Sequence, residues 1–262
     1  MTIPSLQTGE AVRQAARRGT WDRPTAGLAP GYVQTNVVLL PQAFAFDFLR
    51  FCLRNPKPCP VVDITAPGNP HPTSTVAAEA DLRTDVPRYR VYQEGRFVEE
   101  VTEVTHLWGA DWVGVLLGCS FTFEEALRRA GIPVRHVECG CNVPMYITNR
   151  ATYPVGPFRG PLVVSMRPIP GDQVTAAVRI TARYPQAHGA PVHIGDPAGL
   201  GISDLSQPDF GDPVPIHPGE VPVFWACGVT THMALMEARL PVVITHAPGH
   251  MFVTDLPVAE AI

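Results

Sequence analysis

The sequence predicts an α/β protein: a mixed, largely parallel sheet core carrying a smaller inserted α+β subdomain. Three observations predict it. Short apolar runs alternate with stretches of helical periodicity, most regularly in the C-terminal part of the chain. The runs are continuously apolar, as strands covered on both faces are. Finally, 29 prolines and 22 glycines fall between the runs instead of gathering in one tract, so they act as punctuation.

The elements follow in order. Strands are expected at Asn36–Leu40, Val61–Ile64, Trp112–Leu117, Pro133–Val137, Leu162–Met166, Val192–Ile194, Val221–Ala226 and Val242–Thr245, each an apolar run bounded by breakers. Tyr89–Tyr92 with Glu94-Gly95 and the alternating stretch Phe97–Val104 predict a hairpin. Helical spacing covers Phe44–Leu53, Phe123–Ala130 before Gly131, Asp172–Arg183 before Pro185 and Thr231–Arg239 before Pro241. Arg13–Arg18 predicts a surface helix. The expected division is a discontinuous main domain of residues 1–118 and 187–262, with 119–186 inserted.

Composition narrows the function. A chain of 262 residues, 45% hydrophobic, is long enough to bury a substantial core. A formal charge of −4 leaves no basic stripe to neutralise phosphates, so a small-molecule substrate is expected and nucleic acid is not. No apolar run approaches the roughly 18 residues that cross a bilayer. The expected setting is therefore cytoplasmic, without a membrane partner, and compatible with a homo-oligomer. The six cysteines match no zinc spacing, so free thiols, no metal and no cofactor are expected. Lys57 is the only lysine and lies in a proline-rich stretch, which argues against Schiff-base chemistry.

Polar residues cluster where apolar runs end. His188 to Pro197 delivers His188, His193 and Asp196, and Asp196 either caps the following turn or stands at a ligand crevice. Phe224 to Thr231 brings Cys227 and Gly228 to a helix start, where backbone N–H groups bind anions and thiol pKa values fall; a buried, inert cysteine is the alternative. In Thr245 to Phe252, Pro248 and Gly249 separate His246 from His250, so a turn presents the two rings and no zinc-binding helix is formed. Ser120 follows Gly118-Cys119, Arg167 ends the run Leu162–Met166, and Asn142 and Tyr146 add an amide and a phenol. Ile194, Ala226 and Thr245 are expected to end on one edge of one sheet, gathering Asp196, Cys227 and His250.

Taken together, Gly31 to Asn36, Arg54 to Pro60, Gly118 to Phe121, Asn142 to Tyr146, Ser165 to Pro168, His188 to Pro197, Phe224 to Thr230 and Thr245 to Phe252 resemble the hydro-lyase family related to D-glutamate cyclase. The resemblance runs from about residue 10 to residue 256. It implies an α/β fold in two subdomains and the cyclisation of D-glutamate to 5-oxo-D-proline with loss of water. Cys139-Gly140-Cys141 departs from the family's pattern, so those two thiols are not expected to act. Lactam closure needs a base for the amine, donors for the carboxylate and its oxyanion, and an acid for the departing water. The acid/base pair is assigned to His193 or His188 with His246 or His250, and the orienting carboxylate to Asp196. Arg167 is the expected carboxylate clamp, and the Cys227-Gly228 backbone the oxyanion site. Two rivals share the residues: a racemase or epimerase of acidic amino acids using Cys119 and Cys227, and a non-catalytic binder of a small carboxylate.

Overall fold

The computed structural model describes residues 6–258. Its strands are β1 (Tyr32–Pro41), β2 (Val61–Ile64), β3 (Tyr89–Gln93), β4 (Arg96–Val101), β5 (Trp112–Gly118), β6 (Met145–Ala151), β7 (Pro161–Pro170), β8 (His193–Ile194), β9 (Glu220–Ala226), β10 (Val243–His246) and β11 (Phe252–Pro257). The helices are α1 (Gly9–Arg17), α2 (Gln42–Arg54), α3 (Phe121–Arg129), α4 (Arg135–Cys139), α5 (Val174–Ala182) and α6 (Val229–Ala238). A seven-stranded sheet has the order β2-β5-β1-β10-β3-β4, with β11 also on β1, and a four-stranded sheet has the order β6-β7-β9-β8.

The expectation of a largely parallel sheet is overturned, because every strand pair in both sheets is antiparallel. The physical reason lies in what the apolar runs report. In β1, Val38 and Leu40 face one core cluster while Val37 and Leu39 face another, so the strand is buried on both sides. Double burial fixes the composition of a strand, not its direction. The helical connections misled in the same way. β1 and β2 do run parallel across α2, but β5 is inserted between them and opposes both. Helices α3 and α6 each leave one sheet and deliver the next strand to the other, so neither closes a crossover within a sheet.

Most expected elements form within a residue or two of their predicted bounds. Pro133–Val137 does not; residues 135–139 are the short helix α4, in which Val134 anchors the entry and His136 turns inward. α1 forms at the expected place, capped by the Thr8 hydroxyl, but it is no mere surface helix. Arg13 is buried and grips Asp255 on β11 through two bonds of 2.9 and 2.8 Å.

Two features of the larger sheet prepare the site. β10 pairs with β1 at Val38 and Leu39, β11 pairs with it from Thr35, and the intervening turn is pushed out beside Asn36. β5 ends at Gly118, opposite Thr35. A Cβ on Gly118 would stand 1.6 Å from the Gln186 carbonyl oxygen, so only glycine lets this strand end pass the segment behind it. Gly118→Ala is therefore expected to destabilise the protein by about 1–3 kcal/mol in urea unfolding, the usual range for an overpacked interior. Gly160→Ala, whose Cβ would meet nothing nearer than 3.4 Å, is the control and should leave the midpoint nearly unchanged.

Candidate functional site

Two strand ends repeat one local design. β5 runs into Cys119-Ser120 and α3, and β9 runs into Cys227-Gly228 and α6. The strands come from different sheets, yet both thiols pack in one cluster with Val163, Val229 and Met251. Each sulfur has the second following backbone N–H directed at it, from Phe121 to Cys119 and from Val229 to Cys227. Helix amides and the nearby Arg167 charge favour thiolates, but burial outweighs them. Cys119 is pushed up to about 12 and Cys227 to about 11. Both therefore stay protonated at neutral pH.

Behind the thiols lies a buried ion pair. Arg167 has no solvent exposure, and Nε and Nη2 both bond to Glu124 Oε1. Nη2 also donates to Ser120 Oγ at 3.0 Å and Nη1 to Ser165 Oγ at 3.1 Å. The guanidinium carbon lies 5.3 Å from the centre of the Phe123 ring and 5.4 Å from that of Trp225. His136 Nε2 stands 3.1 Å from the same Glu124 oxygen. Burial works to raise the Glu124 carboxyl, but the His136 and Arg167 charges outweigh it and hold the carboxyl below its ordinary range. Ser120 occupies the cap position of α3 without capping it, because its oxygen is turned to Arg167 instead.

A third set of groups comes from the turn pushed out beside β1. Asn36 donates its amide to the Leu117 and Gly118 carbonyls, which fixes its orientation, and turns Oδ1 to His246 Nε2 at 3.0 Å. Gly228 closes over this amide; a Cβ there would stand 2.3 Å from it. His246 Nδ1 lies 2.8 Å from the Ala247 carbonyl, so both ring nitrogens face acceptor oxygens, and because burial lowers the ring to about 4 the neutral imidazole donates to only one of them. His250 differs. Its Nδ1 meets the Pro248 carbonyl at 3.0 Å, the same oxygen that accepts from Asn142 Nδ2 at 3.2 Å, and no protein group bonds its Nε2 among the described residues. The ring is half-buried, and burial lowers its pKa.

Among the expected residues, Ser120, Asn142, Arg167, Cys227, Gly228, His246 and His250 thus gather where the two sheets meet. Of the others, His188 lies behind this region, near enough for the Arg167 charge to act on its ring, and the rest stand apart. β8 opposes β9, pairing Ile194 with Val223, so Asp196 leaves from the far end of the sheet from Cys227, and the three strand ends do not share one edge. Asp196 is exposed and caps the turn Pro197–Leu200 through Ala198 N–H at 3.0 Å. His193 Nε2 meets the Asp196 carbonyl at 2.6 Å. His188 is buried against the Lys57 carbonyl at 2.7 Å, and burial lowers it to about 4. Tyr146 lies on the opposite face of its sheet and donates to the Leu205 carbonyl at 2.7 Å.

Three residues were not singled out from the sequence. Glu124 follows Ser120 by one helical turn, Ser165 precedes Arg167 by one strand repeat, and Asn36 opens an apolar run. Those spacings are the signal that could have found them. The thiols are only 7% and 9% exposed. A groove of about 840 Å³ opens where Met233 and Met236 of α6 meet the turns at Gly95 and Gly160; none of the candidate-site residues lines it, and its link to them is Met233, which also packs on the thiol cluster. Among the described residues no group of three or more His, Cys, Asp or Glu side chains could hold a metal ion, and no helix is long and apolar enough to cross a membrane.

Comparison with known proteins identifies the relatives. A "Putative hydro-lyase" of Geobacillus kaustophilus is 57% identical over 98% of this chain and 97% of its own length. One from Rubrobacter xylanophilus is 60% identical over 95% of each. Among solved structures, a nitrogen repressor-like protein from Methanococcus jannaschii covers 97% of this chain at 11% identity with a TM-score of 0.40, too slight a likeness to inform the fold. The family model described as D-glutamate cyclase matches residues 113–255, which span both thiol turns, the Arg167 network and the His246–His250 turn, and the chain belongs to that family.

Proposed function

We propose that this protein is a hydro-lyase that closes D-glutamate, or a closely related acidic amino acid, to its lactam with release of water, in the seam between the two sheets. The observation that carries the reading is the convergence of the two thiol-bearing helix starts with the Asn142–His250 turn, in a chain of the D-glutamate cyclase family. His250 is the base. Its Nδ1 proton is held on the Pro248 carbonyl, which leaves the Nε2 lone pair to take a proton from the substrate ammonium. The freed amine attacks the γ-carboxyl carbon, and the oxyanion that develops is met by the Ser120 and Gly228 N–H groups just ahead of α3 and α6. As the C–N bond forms the nitrogen gives up a second proton, and both protons pass to the departing γ-oxygen, which leaves as water while the nitrogen keeps its third hydrogen. His246, with protein oxygens facing both of its nitrogens, stays off the substrate.

The two-thiol arrangement would also suit proton exchange at Cα, but that chemistry needs one thiolate at rest. Burial keeps both protons on. A binder of small carboxylates would have no use for a histidine with one nitrogen fixed and the other left open.

Incubating the purified chain with D-glutamate and a panel of acidic amino and hydroxy acids, followed by mass spectrometry, should give a product lighter than D-glutamate by one water. Mass unchanged across the panel would overturn the reading. His250→Gln should lower turnover by on the order of a hundredfold while binding stays within a few-fold, and equal losses in both would make the ring a binding group only. Because burial lowers the His250 pKa, its basic form persists at neutral pH and is lost only as pH falls through a value below the ordinary 6.5. The acid limb of the wild-type profile should lie there and be absent from the variant. Cys119→Ser and Cys227→Ser should each keep a measurable fraction of turnover, since a hydroxyl also donates. Complete loss in both, with circular dichroism unchanged, would favour the racemase.

A further inference from the structure

We propose that the Ser120 and Ser165 hydroxyls form a carboxylate-binding pair, aimed from behind by Arg167. This rests on the reading of the substrate as an acidic amino acid and assigns one of its carboxylates a seat.

The argument follows the hydrogen atoms. Arg167 donates Nη2 to Ser120 Oγ and Nη1 to Ser165 Oγ, so both oxygens serve as acceptors and their own protons must point elsewhere. Among the described residues no protein oxygen or nitrogen accepts from either hydroxyl. Yet Ser120 is only 3% exposed and Ser165 is fully buried. Buried donors without an acceptor are rare in folded proteins, and two of them on one guanidinium call for a shared acceptor from outside the chain.

Their position says where that acceptor sits. Val163, Ser165 and Arg167 alternate along β7 on one face of the sheet, and Val163 packs in the thiol cluster. Ser165 therefore lies between the thiols and the guanidinium. Ser120 directly follows Cys119 and has given up capping α3 to reach Arg167. Arg167 lies behind the serines, held by Glu124 and packed against Phe123 and Trp225. Its charge acts through the serines, since a hydroxyl whose oxygen accepts from a cation is polarised toward donating. Two such donors, spread by the two ends of a planar guanidinium, suit the two oxygens of a carboxylate. Arg167 is thus a positioning residue, and its partner Glu124 keeps the guanidinium in place.

Titration calorimetry of the full chain with glutarate, a five-carbon dicarboxylate lacking the amine, tests the pair apart from the reaction. Ser120→Ala and Ser165→Ala should each weaken glutarate binding on the order of tenfold, as loss of a hydrogen bond to a charged group does. Ser120→Thr, which keeps the hydroxyl, should restore most of it. Arg167→Lys keeps a cation beside Glu124 but cannot reach both serines, and should also weaken binding. No glutarate binding by the wild type, or unchanged affinity in both alanine variants with circular dichroism intact, would overturn the proposal. Glutarate binding that depends on both serines, in a protein that leaves D-glutamate unchanged, would uphold this pair and reject the cyclisation.

Discussion

A guanidinium removed from water must have its charge answered inside the protein, and much of this molecule is arranged around that demand. Arg167 projects from the smaller sheet, and Glu124, which answers it, projects from the helix that follows a strand of the larger one. The pair ties the two sheets together at the point where the thiol turns meet. Breaking such a pair by removing one partner commonly costs about 3–5 kcal/mol, because the survivor is left charged and buried. Phe123 and Trp225, whose ring centres are 5.7 Å apart, pack together against the guanidinium from one side. Two more of its N–H groups go to serines, so a structural ion pair also determines the chemistry of its neighbours.

The two helix starts look like equivalent sites for reactive thiols, and the energetics point the other way. An exposed helix N-terminus lowers a thiol pKa, but here the same turns lie in an apolar cluster, and desolvation of the anion is the larger effect. The cysteines are therefore weak acids that hold their protons. Among the imidazoles, hydrogen bonding makes the corresponding distinction. His246 and His250 leave the same short turn, yet one has protein oxygens facing both nitrogens and the other at a single one.

Much of the candidate site was legible because strand ends announce themselves in sequence. An apolar run followed at once by Cys-Ser, Cys-Gly or His-Ala-Pro-Gly reads as a place where the chain leaves the core with polar groups in hand. Ser120, Arg167, Cys227 and His250 follow from that pattern. Which ends face one another does not follow, because sheet membership and strand direction are set by long-range pairing that burial alone leaves undetermined. Hence Asp196 and His193, at an equally suggestive strand end, lie elsewhere, and the expected parallel sheet is antiparallel. Glu124 escaped notice for a related reason. An acidic residue on an amphipathic helix ordinarily faces water, and its burial becomes intelligible only once the arginine opposite it is known.

The exchange of strands between sheets by α3 and α6 bears on how the protein works as it breathes. Each sheet is held by its own ladder of amide bonds, but the thiols, the serine pair and the His250 turn are assembled from both. A fluctuation that parts the sheets without fraying either ladder would dismantle the site while backbone amides remain protected from solvent exchange. The most fragile property of this fold is thus an alignment between two sturdy halves. Catalytic competence would be lost on warming before secondary structure, and on folding it would be regained last.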